Sequence, residues 1–116
     1  MHPVEAHPHR FTREDRLRQK ALIQRTIQQG RKKVFPELIM YTLPNTVSHP
    51  RLGLAVSRKV GNAVMRNRVK RRLREAFRLQ EQRSTALDVM VVARNGAKKL
   101  SMAAMGAYFR QLLRKT

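Results

Sequence analysis

The stretch from Ser57 to Arg78, SRKVGNAVMRNRVKRRLREAFR, constrains the fold of this chain more than any other: nine Lys or Arg residues share it with one acid, Glu75. From about Asn62 to Gln82 the residues favour helix. Met65, Val69, Leu73, Ala76 and Phe77 recur at the spacing that places them on one helical face. Asn67, Lys70, Arg71, Arg74 and Arg78 fall opposite, with Arg66, Arg68 and Arg72 on the flanks. The fold must therefore bury one side of this helix and leave the other to the charges. Two apolar runs of strand length bracket it, LGLAVS (Leu52–Ser57) and LDVMVVA (Leu87–Ala93), and both read as two-sided, central strands. Strand, helix, strand in that order predicts a parallel crossover.

The remaining elements are weaker. Thr12 to Gln29 lacks Gly and Pro and is rich in Arg, Gln, Leu and Ala, which predicts a helix with Thr12 and Asp15 as a weak capping box. Gly30 suits the left-handed position after its last turn. Ile23 and Ile27 form an apolar edge on that helix, beside Leu22 and Thr26. RKKVF and ELIMYTL are β-prone, and Pro36 between them restricts the first to an edge or a turn. TLPNTVSHPR and RNGAKK read as loops. Met102, Met105, Tyr108, Phe109, Leu112 and Leu113 give a final helix over Ser101–Arg114, with Arg110, Arg114 and Lys115 where cations suit its dipole. Gly61 and Asn62 precede the basic helix, where Asn62 can cap the first turn. Residues 1–11 read as a flexible basic tail and 12–116 as one RNA-binding domain, since 116 residues hold one modest core. A metal role for His2, His7 and His9 is disfavoured in a tail without surroundings to orient the rings.

Charge narrows the function. The chain carries 26 Lys and Arg against 7 Asp and Glu, a formal net charge of +19, and a polyanion is its physical complement. Nucleic acid leads. A membrane surface is the rival, but no apolar run is long enough to span a bilayer. With no cysteine and no apolar leader after Met1, the expected location is the cytoplasm. An ordinary solvated helix face mixes Glu with Lys, whereas like charges at i, i+4 cost a few tenths of a kcal/mol per pair, about 0.2–0.5. The sign imbalance therefore asks for an external anion. The strand that precedes the helix disfavours a helix-turn-helix reading DNA, and folded RNA remains compatible. Six aromatic residues leave base stacking a minor part.

No protein-based active site is visible. Glu14 and Asp15 suit a helix start, Glu75 suits an intrahelical pair with Arg71, Arg72 or Arg78, and His49 lies in a Pro-flanked loop. No catalytic residue, metal ligand or protein-bound cofactor is expected.

VSRKVGNAVMRNRVKRRLREAFR resembles the signature of the bacterial ribonuclease P protein subunit, with its RNR motif at Arg66, Asn67 and Arg68. The resemblance extends more weakly through RLRQKALIQRTIQQGRK, LIMYTL and DVMVVARNGA to the closing helix. It implies a two-layer α+β domain of order αβββαβα. The small sheet is mainly antiparallel, with one parallel βαβ crossover that is left-handed against the usual rule. It further implies an accessory subunit of an RNA-based endoribonuclease. The catalytic RNA and its Mg2+ remove the 5′ leader of precursor tRNA, with no further protein partner required. On this reading Arg58, Lys59, Asn62, Arg66, Asn67, Arg68, Lys70, Arg71, Arg72 and Arg74 contact the catalytic RNA. Ile23, Ile27, Tyr41 and Arg94 line the cleft for the leader. Ile23 and Ile27 stand where relatives commonly carry Phe, and Asn95 where some carry a basic residue, so leader recognition differs here. The alternative is a general RNA-binding or ribosomal protein.

Overall fold

The structure, a computed structural model, describes residues 13–80 and 86–114. The tail with its three histidines, the Thr12 capping position, Glu81–Gln82 of the expected basic helix, and Lys115 lie outside the described residues, as does the side chain of Arg114.

Strands β1 (Arg31–Val34), β2 (Leu38–Pro44), β3 (Arg51–Ala55) and β4 (Leu87–Ala93) are ordered β1-β2-β4-β3. The β1–β2 and β2–β4 pairs are antiparallel and β3–β4 is parallel, so the mainly antiparallel sheet with one parallel crossover is observed. On one face Leu38, Met40, Leu52, Leu87, Val89 and Val91 meet helices α2 (Ala63–Arg78) and α3 (Met102–Arg114) in a single core. Val69, Leu73, Ala76 and Phe77 are the buried residues of α2, the stripe its helical phase predicts. Phe77 meets Phe109 of α3 edge to face, with ring centroids 5.6 Å apart. On the opposite face, α1 (Lys20–Gln29) lies against β2 and β4.

LGLAVS is not a central strand. β3 is an edge, and β2 takes the central place beside β4. The apolar character of β3 has another cause, because an extended strap covers its free side. Arg16 bridges Leu52 in parallel, and the Leu17 N–H donates to the Leu52 carbonyl at 2.9 Å. That strap also overrides the expected helix from Thr12. Residues Arg13–Asp15 form a single 3-10 turn, Leu17 is buried, and α1 begins only at Lys20 after an uncapped Gln19. Pairing with an open strand edge satisfies backbone groups that a helix would otherwise satisfy locally. Gly53 makes the close approach possible, since a Cβ there would stand 3.2 Å from the Leu17 carbonyl oxygen and 2.8 Å from Met90 Sδ.

Gly30 also serves a close approach rather than a left-handed turn. Its φ of −76° is ordinary, while a Cβ would lie 2.3 Å from the Thr26 carbonyl oxygen and 2.8 Å from that of Thr42. RNGAKK is a 3-10 helix, Asn95–Lys99, rather than a loop, because Ala97 is drawn into the core.

Asp88 is a buried acid in a central strand. Arg51, its register partner on β3, grips it with two hydrogen bonds of 2.8 and 2.9 Å, and Asn45 Nδ2 donates at 2.9 Å. A buried charge is tolerated when it is paired in this way.

Two substitutions separate these contributions. Phe77→Ala should destabilise the fold by about 3–5 kcal/mol through the cavity it leaves, and Asp88→Ala by a similar ~3–5 kcal/mol by stranding Arg51. Denaturant unfolding measures both. Asp88→Asn retains one acceptor and should recover part of the loss.

Candidate nucleic-acid interface

Helix α2 presents its cations from a rigid base. Asn62 Oδ1 accepts from the Met65 N–H at 2.9 Å, the expected cap, so this atom is already engaged in holding the first turn. Gly61, at φ +158°, precedes it, and a Cβ there would come within 2.9 Å of Met65 Cγ. The RNR residues divide by environment. Arg66 is half-buried and donates from Nε to the Gly61 carbonyl at 3.3 Å, whereas Asn67 and Arg68 are exposed. Arg72 turns to the opposite flank, where Nη1 donates to the Lys98 carbonyl at 3.1 Å and ties α2 to the Asn95–Lys99 turn. Arg71 is exposed, and Lys70 and Arg74 are half-buried. Arg58 and Lys59 are exposed in the turn that leads into the helix and extend the surface along its N-terminal end.

One cation of the opposite face is neutralised internally. Arg78 forks onto Glu75, which pulls the Glu75 carboxyl below its ordinary pKa and raises that of Arg78, in each case chiefly through the hydrogen bond. Of the three partners open to Glu75 in the sequence, the structure selects Arg78. Burial first, and then the nearby Arg16 charge, lower the Arg74 guanidinium. Composition places Arg16 and Arg18 in a helix, and the strap instead carries them beside α2. The sequence signal for the strap is Leu17, a lone apolar residue among charged neighbours.

The residues expected to line a second site are only partly brought together. Tyr41 alternates with the core residue Met40 and so faces the α1 side of the sheet, where it is half-buried. Thr26, not an isoleucine, is the fully buried residue of α1, its hydroxyl donating to the Leu22 carbonyl at 2.8 Å. Ile23 is half-buried and Ile27 is 37% exposed, so Ile27 sits at the rim rather than in the core. Arg94 stands apart. It follows Ala93, whose register partner is Leu38, and its Nη1 donates to the Phe35 carbonyl at 3.2 Å in the β1–β2 turn. Tyr41 pairs with Met90, three residues from Ala93 along β4 and roughly 10 Å away.

Four of the described acids sit in pairs. Besides Asp88 and Glu75, Glu37 accepts the Tyr108 hydroxyl at 2.7 Å, which raises the tyrosine pKa, and buried Asp15 lies 3.6 Å from His49 Nδ1. Asp15 therefore faces the β2–β3 loop rather than a helix dipole, and His49 is half-buried rather than a free surface residue. No group of three or more His, Asp or Glu residues that could hold a metal occurs among the described residues. No helix among them is long and apolar enough to cross a membrane.

Comparison with known proteins identifies the family. The model of the ribonuclease P family matches residues 11–116. The chain belongs to the ribonuclease P protein family. It is 39% identical over 106 residues to the ribonuclease P protein component of Gluconacetobacter diazotrophicus, covering 89% of this chain and 91% of that one. To the Staphylococcus aureus component it is 38% identical over 87 residues, covering 74% and 76%. The solved Staphylococcus aureus RNase P protein superposes with a TM-score of 0.75 at 33% identity, over 87% of this chain and 94% of that one. Membership places this chain in tRNA processing, as part of an endoribonuclease complex.

Because Arg68 and Arg71 are exposed and make no side-chain ion pair among the described residues, they are the cleanest probes of the face. Arg68→Ala combined with Arg71→Ala should weaken RNA binding and lower the salt slope by about 0.7–0.9 for each phosphate no longer neutralised. The thermal midpoint should stay unchanged. A loss of fold with the slope intact would place these side chains in the structure rather than at the interface.

Proposed function

We propose that this protein docks the basic face of α2 on the catalytic RNA of ribonuclease P and assists removal of the 5′ leader from precursor tRNA. The observation that carries the reading is the α2 surface itself: a cationic face held rigid by a fully buried stripe, on which Arg78 is paired to an acid of its own helix and Arg68 and Arg71 stand exposed. Pre-organised guanidinium groups bind phosphate oxygens with little ordering entropy left to lose. Arg58, Lys59, Arg66, Asn67, Arg68, Lys70, Arg71, Arg72 and Arg74 form the docking surface, with Asn62 holding the helix start.

Bond cleavage falls to the RNA and to the Mg2+ it binds. Asp15, Glu37, Glu75 and Asp88 are engaged in internal pairs, and the remaining described acid, Glu14, is exposed on a 3-10 turn with no metal-binding cluster formed among the described residues, which supports this division. The leader lies across the α1 side of the sheet, against Tyr41 and the rim isoleucines. Without the π faces of phenylalanine at Ile23 and Ile27, that surface gives up stacking of about 1–3 kcal/mol per base and relies on apolar packing. Arg94 acts at the end of this surface while tying down the β1–β2 turn.

Reconstitution tests the reading. The protein alone should leave precursor tRNA intact, and should raise cleavage by a cognate ribonuclease P RNA at low Mg2+ without requiring a second protein. Cleavage by the protein alone would overturn the division of labour. Unchanged RNA activity, with RNA binding retained, would favour a general RNA-binding protein. For the leader, Ile27→Asp should weaken binding of leader-bearing precursor by the assembled holoenzyme more than binding of mature tRNA. An equal loss on both would remove Ile27 from the leader surface.

A further inference from the structure

The strap that covers the β3 edge creates a second cationic wall. Its extended backbone sends alternate side chains to opposite sides, so burial of Leu17 sends Arg16 and Arg18 outward together. Across from them, Lys70 and Arg74 stand one helical turn apart on α2. These four cations line one groove whose floor is Leu17, Leu52, Gly53 and Leu54, and no acid takes part in its lining among the described residues. Both walls are rigid: the strap is fixed by the Arg16–Leu52 bridge and the Leu17–Leu52 hydrogen bond, and α2 by the buried Val69 and Leu73. Like charges from separate elements repel across this space: burial is the larger cause of the lowered Arg74 guanidinium pKa, and the Arg16 charge adds to it. The apolar floor weakens dielectric screening, so a bound anion gains more here than on an open surface.

We infer that the groove between the Arg16–Arg18 strap and α2 seats a run of the phosphodiester backbone of the catalytic RNA, carrying the docking surface of α2 over the β3 edge. Gly53 shapes this seat by letting the strap lie flat, so that both walls reach the same backbone segment. Arg16 and Arg18 also line a second hollow, which they share with Arg13, Glu14, His49 and Arg51, so the all-cationic lining is confined to the groove against α2. The inference rests on the proposed role of α2 in RNA docking, and adds to it a strand-edge contact made by residues outside the basic helix.

Arg18 and Lys70 are the probes, one from each wall, and Arg110, exposed on α3, is the control for loss of a charge elsewhere. Affinity for the ribonuclease P RNA and for leader-bearing precursor tRNA in the assembled holoenzyme is measured from ~50 to ~200 mM salt. Arg18→Ala and Lys70→Ala should each shrink the affinity change over that range about threefold, the contribution of one neutralised phosphate. The double variant should lose less than the sum, because both side chains grip one backbone segment. Reduced affinity for the RNA subunit supports the seat, and an effect confined to precursor tRNA overturns it as an extension of the α2 docking surface. The chain has no cysteine, so Arg18→Cys carrying a photo-crosslinker reports the contacted nucleotide directly. If Arg18→Ala behaves as Arg110→Ala while the Arg68 and Arg71 pair still reduces binding, the strap is not a contact and the α2 reading survives. If none of these variants alters binding, both fail.

Discussion

Burial of one stripe of α2 is the interaction on which the rest depends. Val69, Leu73, Ala76 and Phe77 leave water against the sheet and α3, and each large side chain fully buried contributes roughly 1.5–3 kcal/mol. Against this stand the like-charge neighbours Arg66–Lys70, Arg68–Arg72, Lys70–Arg74 and Arg74–Arg78, at about 0.2–0.5 kcal/mol each. The apolar term dominates, so the helix can hold an unbalanced surface that an isolated peptide of the same sequence would not. Charge density on one side is possible because packing on the other side is strong.

The same logic explains the internal pairs. A chain with 7 acids cannot neutralise 26 cations, and two of its acids stand where burial would otherwise be costly. Asp88 allows Arg51 to sit at the sheet with its side chain only 18% exposed, and Asp15 faces His49 beneath the β2–β3 loop. Glu75 differs, forming a half-exposed pair on the helix that contributes little stability and removes one charge from the face. The cations of α2 that meet no acid form the proposed RNA surface, and the inferred strap groove enlarges it.

The surface proposed for the leader is of another kind. Thr26 occupies the tight position between α1 and the sheet because it is small and returns its hydroxyl to its own helix. The isoleucines stand nearer the rim, with Tyr41 on the same side of the sheet. Apolar packing and one polar ring then replace a stack of aromatic faces, while electrostatics elsewhere set affinity.

Helical phase and strand alternation are legible in the residues, because they are local: the α2 core stripe, the Asn62 cap, the closing helix and the order of elements all follow from spacing. The basic face is legible for the same reason, as positions fixed relative to that stripe. The register of Arg51 with Asp88, the edge position of β3, the strap and the selection of Arg78 by Glu75 are not. Each depends on which backbone edge or charge comes within reach after the chain has closed on itself. Residues 13–19 show the difference most clearly, since their composition favours helix, yet the unpaired edge of β3 offers their backbone a partner and the core offers Leu17 a place. By itself the sequence determined that this chain carries a helix with one apolar face to bury and one cationic face to present. Only the tertiary structure decided that the arginines of the strap stand beside it, because a strand edge left open by sheet topology had to be covered.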